Sequence, residues 1–176
     1  MTELDAALGL IRLVPDYPHP GILFRDITPL IGDASAFSVV TRELAGQSSS
    51  YTHVAGIEAR GFIFGAALAS SASKGFIPLR KAGKLPHDTL KESYGLEYGE
   101  DELEVHKDAA STGDRILLID DVLATGGTAL AALKLIAALG ATCEEVVFLL
   151  EIADLGGRAK ILAEFPQVAI RSLVMV

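Results

Sequence analysis

Runs of apolar residues alternate along the chain with segments in which apolar positions recur at helical spacing. Four runs have the length and composition of buried strands: His53–Ile57, Gly75–Leu79, Arg115–Ile119 and Glu145–Ile152. Helical patterns follow the first and third runs, at Gly61–Ser73 and Thr128–Leu139. Continuously apolar strands separated by helices are typical of a parallel sheet covered on both faces. The pattern therefore predicts an α/β fold with a mostly parallel central sheet flanked by helices.

Two segments do not follow this alternation. Residues 14–32 contain Pro15, Pro18, Pro20 and Pro29, which exclude a regular helix and predict an irregular lobe. Residues 80–102 combine glycines and a proline with polar residues, and predict a long connection of the kind that forms a functional lid or is disordered. Folds of this class bind ligands beyond the carboxyl ends of their strands, so the residues after His53–Ile57 and Arg115–Ile119 are the first candidates for a site.

Composition narrows the class of protein. With 176 residues, half of them apolar, the chain is expected to form one domain over residues 1–176. The pattern of residues Met1–Arg12 predicts an amphipathic helix rather than a signal peptide, because the segment contains Glu3 and Asp5 and has no basic stretch followed by a long apolar run. The single cysteine, Cys143, is expected to be a buried, reduced thiol, which fits a cytoplasmic location. No apolar run approaches the length that spans a membrane.

The charge of the chain argues against polyanionic partners. A formal net charge of −8 opposes attraction to nucleic acid or to an anionic membrane, so we expect neither as a partner. Any phosphate site must therefore be built locally. Arg80, Lys81, Lys84 and Lys91 concentrate positive charge in one segment, although solvated surface charge is the usual explanation of such a run.

The most informative motif runs from Ile116 to Thr128 and reads Ile-Leu-Leu-Ile-Asp-Asp-Val-Leu-Ala-Thr-Gly-Gly-Thr. An apolar strand ends in two carboxylates and a turn that opens a helix, where unpaired backbone N–H groups can bind phosphate. Gly126 and Gly127 remove side chains that would block a close approach, and Thr125 and Thr128 add hydroxyl donors. The motif is neither a P-loop nor a dinucleotide fingerprint, because Gly-Lys-Ser/Thr and Gly-x-Gly-x-x-Gly are both absent.

The two carboxylates, Asp120 and Asp121, would repel a phosphate unless hydroxyl groups or a divalent cation lay between them. A ribose 5-phosphate meets this condition, since its phosphate can enter the turn while its hydroxyls contact the carboxylates directly or through Mg²⁺. The alternative is an acidic turn that only complements the helix dipole. That alternative explains one aspartate, but not the pair together with the Thr-Gly-Gly-Thr turn.

This stretch resembles the phosphoribosyl pyrophosphate (PRPP) motif of the type I phosphoribosyltransferases, in the Ala-Thr-Gly-Gly-Thr form of their adenine-specific members. Other segments are similar across nearly the whole chain: Gly21–Pro29, Gly56–Gly61, Arg80–Pro86 and Leu96–Gly99. Ala82 departs from the pattern, because some relatives carry another basic residue there. The resemblance implies a central sheet with an irregular N-terminal hood and helix over residues 1–32, a mobile lid over residues 80–102, and a homodimer.

The resemblance also implies a position for each part of PRPP. Asp120 and Asp121 face the ribose, and Ala124, Thr125, Gly126, Gly127 and Thr128 hold the 5′-phosphate. Glu58, Ala59 and Arg60 form the turn that contacts pyrophosphate, with Arg60 assigned to catalysis. Arg60 could instead be a surface salt-bridge partner. Mg²⁺, the implied cofactor, is held mainly by PRPP, with Asp120 and Asp121 contributing directly or through water.

The implied lid closes over PRPP and excludes water, which would otherwise hydrolyse the activated sugar. Arg80, Lys81 and Lys84 approach the pyrophosphate, and the far end of the lid delivers Glu97 and Tyr98. Glu97 is the candidate for managing the imidazole proton of the purine through N7 or N9, with simple surface solvation as the alternative.

The implied base site lies under the N-terminal lobe. Adenine contacts the Leu23 backbone, Phe24 and Ile152, with Arg25 nearby, although core packing explains Phe24 equally well. The implied reaction transfers the phosphoribosyl group from PRPP to N9 of adenine, giving AMP and pyrophosphate in purine salvage. The alternatives are another base specificity, namely hypoxanthine-guanine, xanthine or orotate, and a regulator that senses PRPP without turning it over.

Overall fold

The computed structural model describes residues 2–46, 50–96 and 99–176, and the chain divides into two compact units, residues 1–46 and 47–176. The single domain over residues 1–176 stays a prediction. None of the described helices is long and apolar enough to cross a membrane.

The first unit consists of short elements. They are α1 (Glu3–Leu8), β1 (Arg12–Pro15), β2 (Leu23–Asp26), α2 (Thr28–Gly32) and α3 (Ala34–Ala45). Thr2 caps α1 through a reciprocal bond with Asp5, and Asp33 caps α3 by accepting from the Ala36 N–H at 2.8 Å. The strands β1 and β2 pair antiparallel, with Arg12 opposite Asp26.

Two predictions for this unit need correction. The N-terminal helix ends at Leu8 rather than Arg12, because Gly9 closes it and Arg12 already begins β1. The segment 14–32 is not irregular throughout, since it contains β2 and α2. Pro29 lies in the first turn of α2, where the missing N–H breaks no helical hydrogen bond.

The second unit is built around one sheet. Its elements in chain order are β3 (His53–Ile57), α4 (Gly61–Ser71), β4 (Gly75–Lys81), β5 (Thr89–Leu96), β6 (Gly99–His106), β7 (Arg115–Leu123), α5 (Gly127–Ala138), β8 (Thr142–Glu151), a short 3₁₀ helix (Ala153–Leu155), α6 (Gly157–Glu164) and β9 (Ala169–Met175). Within the described residues the sheet has seven strands in the order β5-β6-β4-β3-β7-β8-β9. The five strands from β4 to β9 in this order are parallel, while β5 and β6 form an antiparallel hairpin.

The predicted α/β class with a mostly parallel sheet is confirmed. The middle parts of the central strands are apolar because both of their faces are covered, and Leu118, Val146 and Phe148 are fully buried. Cys143 lies in β8, donates its Sγ–H to the Glu145 carbonyl at 3.3 Å, and has its pKa raised to about 12 by burial. This agrees with the expected unreactive thiol.

Two boundaries differ from the sequence predictions. The strand β7 continues to Leu123, so Asp120 and Asp121 lie within it rather than after it. Residues 80–102 are not simply a long connection, because all of β5 and the first half of β6 fall inside them. The hairpin pairs with Arg80 and Lys81, the last two residues of β4, which lie beyond the predicted strand 75–79. It thereby adds two strands to the sheet beside β4.

Candidate active site

The predicted site residues of the second unit gather at one edge of its sheet. The strands β3, β4 and β7 are parallel neighbours, with Ile57 opposite Leu79 and Gly56 opposite Ile119. Their carboxyl ends therefore face the same direction. The turn 58–60 follows β3, Arg80 and Lys81 end β4, and residues 120–128 complete β7 and open α5.

The phosphate turn, defined as Ala124–Thr128, connects β7 to α5. Gly126 is the N-cap of α5 with φ +78° and makes no side-chain cap, so the first N–H groups of the helix are available to an anion. A cleft of about 70 Å³ is lined by Asp120 and residues 122–129. The predicted phosphate-binding residues are thus brought together around one cavity.

The two glycines of the turn differ in their surroundings. A Cβ at Gly126 would lie 2.7 Å from the carbonyl oxygen of Gly157, which is backbone and cannot rotate away. A Cβ at Gly127 would meet nothing closer than 3.5 Å, an ordinary contact. Gly157, in the first turn of α6, was not predicted from the sequence, because no local motif connects it to a turn 30 residues earlier.

The two adjacent carboxyl groups are largely withdrawn from solvent. Asp121 is 5% exposed, and its Oδ2 lies 2.8 Å from the Nε of Arg60. The Asp121 N–H donates to Asp120 Oδ1 at 2.9 Å. The pKa of Asp120 is raised well above its ordinary value, mainly by burial and secondly by the negative charge of Asp121. Burial also raises the pKa of Asp121, although the guanidinium of Arg60 opposes this.

The turn after β3 approaches this pair closely. A Cβ at Gly61 would lie 2.9 Å from Asp120 Oδ1, so only glycine allows α4 to begin here. Arg60, predicted to meet a second anion, is placed at the same sheet edge by its contact with Asp121. The Glu58–Ala59 peptide bond is cis.

Glu58 forms the centre of a second charged group, the Glu58 cluster, with Arg80, Lys81 and Lys84. Its carboxylate accepts from Arg80 Nε at 3.2 Å, from Lys84 Nζ at 2.6 Å and from the Lys81 N–H at 3.1 Å. Burial alone would raise the pKa of Glu58, but the bonds from Lys84, Arg80 and the Lys81 N–H lower it to about 2. The predicted cations Arg80 and Lys84 are therefore brought together by a carboxylate.

A second carboxylate, that of Glu104, stabilises the backbone next to this cluster. Glu104 in β6 is 2% exposed and accepts from the Lys84 and Leu85 N–H groups at 2.9 and 3.0 Å. Burial would raise the pKa of Glu104, but hydrogen bonds from Leu85, Lys84 and Gly83 lower it. The charged sequence around β6 gave no sign of this role, since alternating acidic residues usually indicate a solvated strand.

Lys81 points to a different partner from Arg80 and Lys84. Its Nζ lies 2.7 Å from Asp101 Oδ2, and the Tyr94 hydroxyl donates to the same oxygen at 3.0 Å. Tyr94 also interacts with the hydroxyl of Thr128. The pKa of Tyr94 is raised to about 12, mainly by burial. The hairpin is thus connected by side chains to the phosphate turn.

The predicted adenine residues lie in both units. In the first unit, Leu23, Phe24 and Arg25 belong to β2, where Phe24 packs edge-on against Tyr17 with ring centroids 5.1 Å apart. Arg25 Nη1 donates to the Leu23 carbonyl at 3.4 Å. In the second unit, Ile152 follows β8 and donates its N–H to the Leu123 carbonyl at 2.9 Å. Glu97 and Tyr98 lie outside the described residues.

The donor groups at this edge suit Mg²⁺ only in part. Carboxylate oxygens are its preferred protein ligands, but Asp121 is already engaged by Arg60. In the part of the chain that the structure describes, no group of three or more His, Cys, Asp or Glu residues is arranged to hold a metal ion. A magnesium ion here would need most of its oxygen ligands from a bound substrate.

Comparison with known proteins shows the family to which the chain belongs. The Phosphoribosyl transferase domain family matches residues 31–163. An adenine phosphoribosyltransferase of Chelativorans sp. (strain BNC1) is 53% identical over 172 residues, which cover 97% of this chain and 94% of that protein.

Solved structures show the same fold. The adenine phosphoribosyltransferase of Rhodothermus marinus DSM 4252 superposes with a TM-score of 0.91 at 44% identity, covering 99% of this chain and 98% of the other. The APRTase of Giardia lamblia, solved in complex with 9-deazaadenine, has a TM-score of 0.91 at 37% identity, with 100% and 99% coverage.

Proposed function

Because this chain belongs to the adenine phosphoribosyltransferases of the phosphoribosyl transferase domain family, we propose that it transfers the 5-phosphoribosyl group from PRPP to N9 of adenine. The products are AMP and pyrophosphate, so the reaction salvages a free purine and has the classification EC 2.4.2.7. The observation that carries the proposal is that two groups suited to binding anions lie at one sheet edge. The phosphate turn lies after β7 and the Glu58 cluster lies at the ends of β3 and β4.

The phosphate turn is the proposed site of the 5′-phosphate. Its glycines and the N-terminus of α5 offer N–H groups, and Thr125 and Thr128 offer hydroxyls. Asp120 and Asp121 precede the turn and are the proposed partners of the ribose hydroxyls. Binding would supply hydrogen-bond donors to carboxyl groups whose charged forms are disfavoured by burial.

The Glu58 cluster is the proposed site of the pyrophosphate group. Arg80 and Lys84 supply positive charge, while the backbone of Glu58 and Ala59 and the side chain of Arg60 border the same edge. Lys81 is the third proposed cation, although its ammonium group contacts Asp101. Positive groups in this position stabilise the charge that develops on a leaving pyrophosphate.

The proposed reaction is a displacement at C1′ of the ribose. N9 of adenine attacks, pyrophosphate leaves, and the enzyme contributes positioning and electrostatic stabilisation without a covalent intermediate. Glu97 is the proposed group that manages the imidazole proton of the purine, with Tyr98 beside it in sequence. Leu23, Phe24, Arg25 and Ile152 are the proposed contributors to adenine recognition. Backbone groups can distinguish adenine from hypoxanthine because the donor and acceptor on the purine edge are exchanged.

Mg²⁺ is the proposed cofactor, bound mainly by the oxygens of PRPP, with Asp120 and Asp121 contributing directly or through water. It would neutralise part of the pyrophosphate charge. We further propose that the enzyme is a cytoplasmic homodimer that binds neither nucleic acid nor membranes, in keeping with its net charge of −8.

The direct test is to incubate the protein with PRPP, Mg²⁺ and one base at a time, and to measure pyrophosphate release. Adenine should give release and AMP in equal amounts, while hypoxanthine, guanine, xanthine and orotate should give little. Turnover of hypoxanthine or guanine in preference to adenine would contradict the proposed specificity. PRPP binding without release with any base would instead indicate a regulator.

A further inference from the structure

The first turn of α6 lies directly against the phosphate turn. A Cβ at Gly157 would collide with the carbonyl oxygen of Ala124, and would lie 2.9 Å from the backbone nitrogen of Gly126. The reverse contact is also too close for a side chain, since a Cβ at Gly126 would lie 2.7 Å from the Gly157 carbonyl oxygen. The position of Gly157 therefore limits the conformations that the phosphate turn can adopt.

The residue after Gly157 is tied to two strands of the sheet. Arg158 donates from Nε and Nη2 to both carboxylate oxygens of Glu151 in β8, at 2.8 and 2.5 Å. Its Nη1 donates to the carbonyl of Ile170 in β9 at 2.8 Å. Ser172, also in β9, donates its hydroxyl to Glu151 Oε2 at 2.6 Å. We call these three side chains the Arg158 clamp.

The clamp is the strongest polar attachment described for the beginning of α6. Glu151 is 3% exposed. The bidentate bond from Arg158 has the largest effect on the pKa of Glu151 and lowers it, while burial acts in the opposite direction. The N-cap of α6 is Gly156, which makes no side-chain cap, and in the described helix only Gly157 and Ile161 are buried. The Arg158 clamp therefore adds a polar attachment of the first turn of α6 to both β8 and β9.

We propose that Glu151 and Arg158 are positioning residues for the 5′-phosphate: by holding Gly157 against Gly126, the Arg158 clamp sets the shape of the phosphate turn. The inference rests on the proposed function, because it assumes that the turn binds the phosphate of ribose 5-phosphate. It extends that function to two residues outside the cleft. They act on the substrate indirectly, through the backbone of Gly157 and Gly126.

The proposed test compares Glu151→Gln with Glu145→Gln. Both glutamates lie in β8 and both pair with an arginine, since Glu145 Oε1 is 2.8 Å from Arg171 Nε. Glu145 pairs with Arg171 of β9 rather than with a residue of α6, and serves as the control. Calorimetry would give the dissociation constants for ribose 5-phosphate and for pyrophosphate with Mg²⁺, and steady-state kinetics would give KM for PRPP and kcat.

In Glu151→Gln the dissociation constant for ribose 5-phosphate and KM for PRPP should rise by about tenfold or more, because a small displacement of the turn misplaces several N–H donors together. The affinity for pyrophosphate should stay within about twofold. Glu145→Gln should leave both affinities within the same limit. If Glu151→Gln does not fold, Ser172→Ala removes a single bond to Glu151 and should give a smaller rise with the same selectivity.

The possible results separate the inference from the function. Unchanged ribose 5-phosphate affinity in a folded Glu151→Gln or in Ser172→Ala would overturn the inference and leave the function standing. Equal weakening of ribose 5-phosphate and pyrophosphate would also overturn it, since it would indicate general loosening. A wild-type protein that binds no ribose 5-phosphate would overturn both.

Discussion

At Gly126, backbone conformation and packing impose the same requirement on one residue. Its φ of +78° lies in the left-handed region, and the Gly157 carbonyl leaves no space for a side chain. Gly127 follows in the helix, where a methyl group would make only ordinary contacts. The two glycines are equivalent in the motif but not in the structure.

The substitution Gly126→Ala should therefore weaken ribose 5-phosphate binding much more than Gly127→Ala. We expect a loss of about tenfold to a hundredfold in affinity for Gly126→Ala, because the added methyl group displaces the turn or α6. Calorimetric titration of both variants checks the order. Equal effects would mean that the Gly157 contact does not control the turn.

Glu58 links acid stability to the cations at the sheet edge. Its folded pKa of about 2 is below the ordinary 4.5, so the unfolded chain binds the proton more readily. The stabilisation from Glu58 is then fully present above pH 4.5, and it is lost as the pH falls toward about 2. Glu58→Gln removes this titration.

At neutral pH, Glu58→Gln should lower the free energy of unfolding by on the order of 1–3 kcal/mol, because Arg80 and Lys84 lose a charged acceptor. The difference between wild type and variant should shrink between pH 4.5 and about 2. Urea unfolding at a series of pH values measures it. A difference that stays constant across this range would show that Glu58 does not titrate as described.

Several residue contacts could not be predicted from the sequence. The Asp120–Asp121 pair and the Thr-Gly-Gly-Thr turn were recognisable because their residues are adjacent. The contact between Arg60 and Asp121 and the packing of Gly157 join residues that are far apart in the chain. Only the order of the strands in the sheet brings such residues together.

Among the elements, β6 connects the sheet to the cations through its buried face. Glu104 holds the backbone of the turn at Lys84 and Leu85, and Lys84 in turn contacts Glu58. Glu102 lies on the same strand, where it pairs with the exposed Lys91 at 3.2 Å. The two glutamates therefore provide a matched comparison.

Glu104→Gln should weaken pyrophosphate binding by about tenfold, because an amide cannot accept from consecutive N–H groups as well as a carboxylate does. Glu102→Gln should change it little, since exposed ion pairs contribute weakly. Titration with pyrophosphate and Mg²⁺ measures both. Similar losses in the two variants would argue for a general effect of charge rather than support of the turn.

The segment 80–98 is predicted to become more protected when PRPP and Mg²⁺ bind, and to change little with adenine alone. The reason is that adenine carries no anion for Arg80, Lys81 and Lys84 to contact. Hydrogen exchange measured by mass spectrometry tests this for each condition. Equal protection in all conditions would mean that the segment is a fixed arm. Residues 89–96 already pair with β6, so the larger change is expected before Thr89.

The elements that sequence predicted are those with an unambiguous pattern. The strands β3, β4, β7 and β8 were found because each contains a run of apolar residues that is buried on both faces. The hairpin was missed because its strands carry mostly charged or polar residues, and only part of each faces the core, for example at Leu103 and Val105. Tertiary pairing, not local preference, forms these strands.

On the scale of the whole molecule, the assembly is open to direct measurement. The proposed homodimer should have twice the chain mass of 18.5 kDa in sedimentation equilibrium or light scattering. Exposed apolar side chains such as Leu13, Tyr17 and Met175, which are 58%, 54% and 61% exposed, offer surface for an interface. A mass that remains at that of one chain at micromolar concentration would contradict the dimer.

The proposed binding of pyrophosphate at the Glu58 cluster would be an exchange of one anion for another. Arg80 and Lys84 already share one carboxylate of the protein, so an arriving anion would take over contacts that Glu58 holds. With a net charge of −8, the molecule as a whole does not draw PRPP in from a distance. The attraction begins only at close range, where a polyphosphate competes with one carboxylate, and anions with a single charge gain little from the exchange.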